Sequence, residues 1–104
     1  MSYQSVFKPG LLAGKVIVVT GGGSGIGRCT AHELAALGAQ VVLLGRDPEK
    51  LQVVQQEIAQ DGGLADTQVC DIRHDDVVRE AVARIVRAHG RIDGLVNNAG
   101  GQFM

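Results

Sequence analysis

The alternation of apolar and amphipathic segments predicts an α/β fold, a parallel sheet wound with helices on both faces. Three observations carry this expectation. Four short apolar runs alternate with three helical patterns in the order βαβαβαβ, joined by short connections, as right-handed crossover units require. The runs at 16–19 and 41–44 are continuous rather than alternating, which suits strands covered on both faces. Between the first run and the first helix stand five glycines within seven residues, Gly21 to Gly27. The predicted strand order is 3-2-1-4.

Each element has its own local signals. Residues 1–14 read as an N-terminal arm: Pro9-Gly10 signals a turn, and Leu11 and Leu12 are expected to tuck against the first strand. Strand one spans Lys15 to Thr20. Helix one spans Gly25 to Leu37, with Ile26, Thr30, Leu34 and Leu37 marking its inner face and Gly38 following its end. Strand two is Gln40 to Gly45. Asp47-Pro48-Glu49 then starts helix two: a capping acid, a proline whose missing N–H costs nothing there, and an acid in the first turn. Leu51, Val54 and Ile58 form its stripe, and Asp61-Gly62-Gly63 ends it. Strand three is the weakest, at Thr67 to Cys70. Helix three begins near His74-Asp75-Asp76, turns Val78, Val82 and Ile85 inward with Ala81 beside them, and stops at Gly90. Strand four is Ile92 to Val96.

An apolar strand, a glycine-rich turn and a helix in that order present backbone N–H groups to a phosphate. One glycine permits the sharp turn, one lets the backbone approach a pyrophosphate, and one lets the helix pack close to the strand. The helix start adds roughly half a positive charge at the same point. The spacing departs from the common dinucleotide fingerprint G-x-G-x-x-G: Gly21, Gly25 and Gly27 give T-G-x-x-x-G-x-G. No Gly-Lys-Ser/Thr follows, so a Walker phosphate loop is excluded. In the 3-2-1-4 order, Gly21–Gly27, Arg46, Asp71 and Asn98–Gly100 all fall at the carboxyl ends of strands, where open α/β sheets bind ligands.

Position 46 bears on which dinucleotide binds. An acid at the end of strand two would accept a ribose 2′-hydroxyl, as in NAD sites, and repel a 2′-phosphate. Arg46 instead offers a planar fork that matches a phosphate, and Gly45 leaves room, which favours NADP (NADPH) over NAD. Asp47 is accounted for as a helix cap, and Ser24 adds a hydroxyl near the same phosphate. Asp71 also has a second reading as a loop residue capping the next turn, and Asn97 one as a structural residue.

Composition closes other routes. The chain has 104 residues, 45% of them hydrophobic, and a formal net charge of −1. That balance gives no electrostatic case for nucleic acid or an anionic membrane surface. Only 3% of residues are aromatic and Trp is absent, which argues against base-stacking platforms. No apolar stretch approaches a membrane span, and the first ten residues lack the apolar core of a signal peptide. Cys29 and Cys70 stand apart without metal spacing, as in a reducing cytoplasm. His32, His74 and His89 fall on helix surfaces or ends without paired ligands, so no metal site is expected. Asp75 and Asp76 read as helix-start acids. Arg79, Arg84, Arg87 and Arg91 read as a solvated side of helix three and its exit, and Glu33 as exposed.

Thr20-Gly21-xxx-Gly25-x-Gly27 resembles the cofactor motif of the short-chain dehydrogenases/reductases, and Asn97-Asn98-Ala99-Gly100 resembles that family's second signature. The resemblance runs from about Leu11 to the last residue. It implies a Rossmann-type NADP-binding domain whose cofactor contacts come from Gly21, Gly23, Ser24, Gly25, Ile26, Gly27, Arg46, Asp71, Ile72, Asn98, Ala99 and Gly100. In it Cys70-Asp71-Ile72 is the element whose Asp accepts from the adenine amino group, and the Asn-Ala-Gly segment lines the adenosine ribose. The family's catalytic Ser and Tyr-x-x-x-Lys have no counterpart here: the single tyrosine, Tyr3, has Phe7 four residues on. The chain is therefore expected to be the N-terminal part, residues 1–104, of one longer enzyme that forms dimers or tetramers and acts on a small-molecule substrate. Asn97-Asn-Ala-Gly-Gly-Gln-Phe103 and Pro9-Gly10-Leu11-Leu12 resemble the trans-2-enoyl-CoA and 2,4-dienoyl-CoA reductases, which implies an acyl-CoA substrate. A 3-oxoacyl, alcohol or sugar dehydrogenase is the alternative within the family. A non-catalytic NADP-binding protein or subunit is the alternative if the chain is complete.

Overall fold

The computed structural model describes residues 10–21, 23, 25–71 and 73–97. Four strands form one parallel sheet in the order β3-β2-β1-β4: β1 (Val16–Thr20), β2 (Gln40–Gly45), β3 (Leu64–Val69) and β4 (Gly94–Asn97). Helices α1 (Gly25–Ala36), α2 (Pro48–Gln60) and α3 (Asp75–His89) connect them. This is the doubly wound, Rossmann-like arrangement the segment order predicts. Among the described residues, no helix is long and apolar enough to cross a membrane.

The alternation of side chains along the strands divides the core in two. Ile17, Val19, Val41 and Leu43 face α1 and α2, meeting Ala31, Ala35, Leu51, Val54 and Ile58. Val16, Val18, Val42 and Leu44 face the other side and meet Ala81 and Ile85 of α3. β1 and β2 are covered on both faces, which is why their sequences are continuously apolar.

α2 forms as its sequence dictates. Asp47 Oδ1 accepts the N–H groups of Glu49 and Lys50 at 3.0 and 3.3 Å, Pro48 opens the helix, and Leu51, Val54 and Ile58 are its buried stripe. α1 departs from expectation. Its buried residues are Gly27, Ala31 and Ala35, whereas Ile26 is 75% exposed and Thr30 and Leu34 are only half-buried. The small residues face inward because they let the helix axis lie close to the sheet. Leu37 is buried but lies just past the helix, where its N–H is shared between Glu33 and Leu34 carbonyls.

Other boundaries shift for identifiable reasons. Lys15 is outside β1 because its N–H closes a turn to the Leu12 carbonyl, although its own carbonyl accepts from Gln40. Leu12 packs on the core as expected and Leu11 is exposed. β3 begins three residues earlier than its apolar content suggests, because Leu64 to Val69 pair in full register with Gln40 to Gly45. It is an edge strand, so Asp66, Thr67 and Gln68 are tolerated there. Cys70 follows the strand and is buried, which raises its thiol pKa. β4 starts at Gly94 rather than Ile92. Asp93 holds the lead-in differently: Val16 N–H donates to Asp93 Oδ2 at 2.8 Å, and Asp93 N–H donates to the Val16 carbonyl at 2.7 Å. In α3, Ala81 and Ile85 are buried and Val78 packs beside them, but Val82 is exposed, one residue round from Ala81 on the flank of that stripe. Glu33 is half-buried rather than exposed.

Candidate functional site

Register builds the site. Thr20, the last residue of β1, lies opposite Leu44 on one side and Asn97 on the other, and Leu44 lies opposite Gln68. The four strands therefore end level and form one rim. The order 3-2-1-4 places the reversal of winding between β1 and β4, which opens a crevice at that rim.

The glycine turn rises from β1 at this crevice. Gly21 has φ +68° and donates its N–H to the Leu44 carbonyl at 2.8 Å, so the turn is tied to β2 as it begins. Gly25, at φ +58°, opens α1. Both lie in the left-handed region that side chains disfavour. Gly23 has a steric role: a Cβ there would stand 3.0 Å from Lys50 Cβ, so the turn closes directly onto the first turn of α2. Gly27 is buried against the sheet. Ile26 stands on the outer side of the helix start.

Thr20 and Asn97 bridge the crevice at its base. The Thr20 hydroxyl lies 2.9 Å from Asn97 Oδ1 and 3.3 Å from the Val96 carbonyl, and Thr20 is 7% exposed. This buried hydroxyl fixes the end of β4 to the end of β1. It also realises the structural reading of Asn97.

The rim carries charges of both signs. Arg46, directly after β2, is exposed and is held in no ion pair among the described residues. Asp47 is committed to its cap. Asp71, after β3, is gripped by Arg73: Oδ1 accepts the backbone N–H at 3.1 Å and Nε at 3.0 Å, and Oδ2 accepts Nη2 at 2.8 Å. The Arg73 guanidinium and N–H hold this carboxyl well below the usual carboxylate range. The turn-capping reading of Asp71 is thus present in the structure. Arg73 was passed over in the sequence, although Asp-x-Arg is the spacing an Asx turn with a side-chain fork needs. Ser24, Ile72, Asn98, Ala99 and Gly100 lie outside the described residues, as do the terminal segments with Tyr3, Phe7 and Phe103.

The remaining candidates are engaged elsewhere. His32 is not a free surface residue: its Nε2 lies 2.9 Å from Glu57 Oε1, and Arg28 forks onto the same carboxylate, which ties α1 to α2. His32 first, then Arg28, lowers the Glu57 pKa. His89 Nε2 lies 3.2 Å from Asp66 Oδ2. Among the described residues no three His, Cys, Asp or Glu side chains gather as a metal site, and both cysteines are free.

Comparison with known proteins places this geometry among relatives. The family model described as short chain dehydrogenase matches residues 15–104. A solved citronellol catabolism dehydrogenase of Pseudomonas aeruginosa PAO1 is 58% identical, with a TM-score of 0.89, over 91% of this chain and 40% of its own. A metagenomic short-chain oxidoreductase in complex with NADP is 49% identical, with a TM-score of 0.83, over 86% and 40%. An NAD+-bound xylitol dehydrogenase is 39% identical, with a TM-score of 0.82, over 86% and 34%. A probable 2,4-dienoyl-CoA reductase of Bacillus subtilis (strain 168) is 37% identical over 86% of this chain and 35% of its own. The chain spans about a third of the length of the curated relatives it matches.

Proposed function

Since the chain belongs to the short-chain dehydrogenase/reductase family, we propose that it binds NADP(H) at the rim of strand ends. In this proposal residues 1–104 are the N-terminal, cofactor-binding part of one Rossmann-type domain, in an oxidoreductase that reduces an acyl thioester. The observation that carries the cofactor reading is the glycine turn closed onto α2, next to the unpaired Arg46. A Cβ on Gly23 would press on Lys50 Cβ at 3.0 Å, so glycine lets the turn lie close against the start of α2.

When bound, such a cofactor supplies a hydride. This chain's residues bind and orient it. Gly21, Gly23, Ser24, Gly25, Ile26 and Gly27 form the phosphate turn, with N–H groups and the α1 dipole directed at negative charge. Arg46 takes the 2′-phosphate. Asp71 and Ile72 border the adenine, and the fork from Arg73 fixes the Asp71 carboxylate as an acceptor. Asn98, Ala99 and Gly100 line the adenosine ribose in this reading, and they follow Asn97, which the Thr20 hydroxyl ties to the end of β1. The enoyl or dienoyl thioester reading is supported by the residues around Asn97–Phe103 and by the similarity to the Bacillus reductase. The 58% identity to the citronellol catabolism dehydrogenase favours, as a second reading, an alcohol dehydrogenase of the same family. The full-length enzyme is proposed to be a cytoplasmic homo-oligomer, dimer or tetramer.

Two assays on the full-length protein test this. Arg46→Asp is expected to weaken NADPH binding about tenfold or more while NADH binding changes little, because the carboxylate repels only the 2′-phosphate. Equal loss for both cofactors overturns the NADP reading. Turnover of a trans-2-enoyl-CoA with NADPH supports the thioester reading, and turnover of terpenoid alcohols alone replaces it with the second.

A further inference from the structure

Lys50, the third residue of α2, has no place in either signature, yet its side chain is rooted against the glycine turn. The Cβ that Gly23 lacks would stand 3.0 Å from Lys50 Cβ and 3.5 Å from the Lys50 carbonyl carbon. Lys50 is exposed, so its flexible four-carbon stem starts beside the turn, four residues after Arg46 in the chain.

Its surroundings leave the charge available. Among the described residues, Arg28 pairs with Glu57, Arg73 with Asp71, Arg84 with Glu80 and Arg91 with Asp93, whereas Arg79 and Arg87 on α3 are in no ion pair and lie on a different element from the glycine turn. Lys50 and Arg46 are also in no ion pair among the described residues. The helix offers Lys50 no partner: positions i+3 and i+4 are Val53 and Val54. The acid at i−3, Asp47, is spent on the N–H groups of Glu49 and Lys50 itself. An exposed cation rooted beside a phosphate-type turn and a second exposed cation at the adjoining strand end supply the charge a dianion needs.

We infer that Lys50 is a second phosphate-binding residue of this site, facing Arg46 across the 2′-phosphate of NADP(H), and so a determinant of NADP(H) over NAD(H). This rests on the NADP reading proposed for Arg46, and the test separates the two.

The test is calorimetric titration of NADP+ and NAD+ into the full-length protein. It compares wild type with Lys50→Met, which keeps the stem and removes the charge, with Lys50→Arg, and with Arg46→Ala. Thermal melts of each variant confirm that the fold is retained. Lys50→Met is expected to weaken NADP+ about fivefold, the size of one solvent-exposed ion pair, and to leave NAD+ within about twofold. The salt dependence of NADP+ binding should flatten, and Lys50→Arg should keep wild-type affinity. If Arg46→Ala loses NADP+ selectively while Lys50→Met binds both cofactors like wild type, or loses both equally, the role of Lys50 is overturned and the Arg46 reading stands. If wild type binds NAD+ as tightly as NADP+ and Arg46→Ala shows no selective loss, the NADP reading falls and the role of Lys50 falls with it.

Discussion

Asp71 shows how a single residue can carry two roles. Its carboxylate caps the turn after β3 through the Arg73 N–H and is forked by the same residue's guanidinium. The linkage sign follows from the depressed pKa. Asp71 contributes stability above its unfolded value, near pH 4, and loses it as the pH falls through the lower folded value. Across the neutral range it therefore stays an ionised acceptor. Carboxyl-carbon NMR of Asp71 should show a titration midpoint well below the model-peptide value, and Arg73→Ala should return it toward about 3.9. An unmoved midpoint in Arg73→Ala would mean that Arg73 does not set the charge of Asp71. The sequence marked Asp71 from its place after a strand, but not Arg73, because an Asx turn is recognised only once the backbone is known to turn there. Thr20 and Asn97 were likewise marked for their place in the signatures. Their bond across the sheet needs the β1–β4 register, which joins residues 77 positions apart.

At the level of elements, α2 and α1 show what periodicity does and does not reveal. α2 was readable throughout, since its cap, its first-turn proline and its large apolar stripe all lie in the local sequence. Asp47→Ala should lower stability by about 1 kcal/mol, readable as a drop in urea midpoint with unchanged slope. A wild-type midpoint would show that the two cap bonds contribute nothing net. α1 was readable only in part: Leu34 packs on the core cluster and Leu37 is buried as expected, but Ile26 is exposed and the centre of the inner face is made of the smaller Gly27, Ala31 and Ala35. Close packing of a helix over β1 and β2 puts small residues at positions 27, 31 and 35, with Leu34 packing at the margin of the cluster. Ala31 is 0% exposed, and Ala31→Leu should destabilise by about 1–3 kcal/mol through overpacking. If Ala31→Leu is tolerated without loss, the helix has room to lift from the sheet and the glycine turn is less fixed than described. β3 was underestimated for the opposite reason: its polar residues hide a strand that backbone pairing with β2 defines.

Over the whole molecule, the two faces of the sheet are unequally covered. α1 and α2 bury one face, with Val96 of β4 packed into that cluster. Among the described residues, the other face is covered by α3, whose buried contribution is Ala81 and Ile85, with Val78 and Ile92 packed beside them. Leu95 pairs with Val18, so it points to the α3 side, yet it is 64% exposed. Val82 and Val86 on α3 are also exposed, and β3 and β4 are both edge strands. An uncovered apolar strip beside an unpaired strand edge drives association in water. The 104-residue chain expressed on its own is therefore expected to self-associate or to melt at low temperature, although its four described strands pair in register at the rim. Sedimentation velocity across a concentration series should show the average mass rising, and Leu95→Glu should suppress that rise by placing a charge on the strip. A monomer at every concentration, melting cooperatively at high temperature, would show that α3 and the edges are sufficient cover. The same isolated chain would then serve for measuring cofactor affinity at the rim directly.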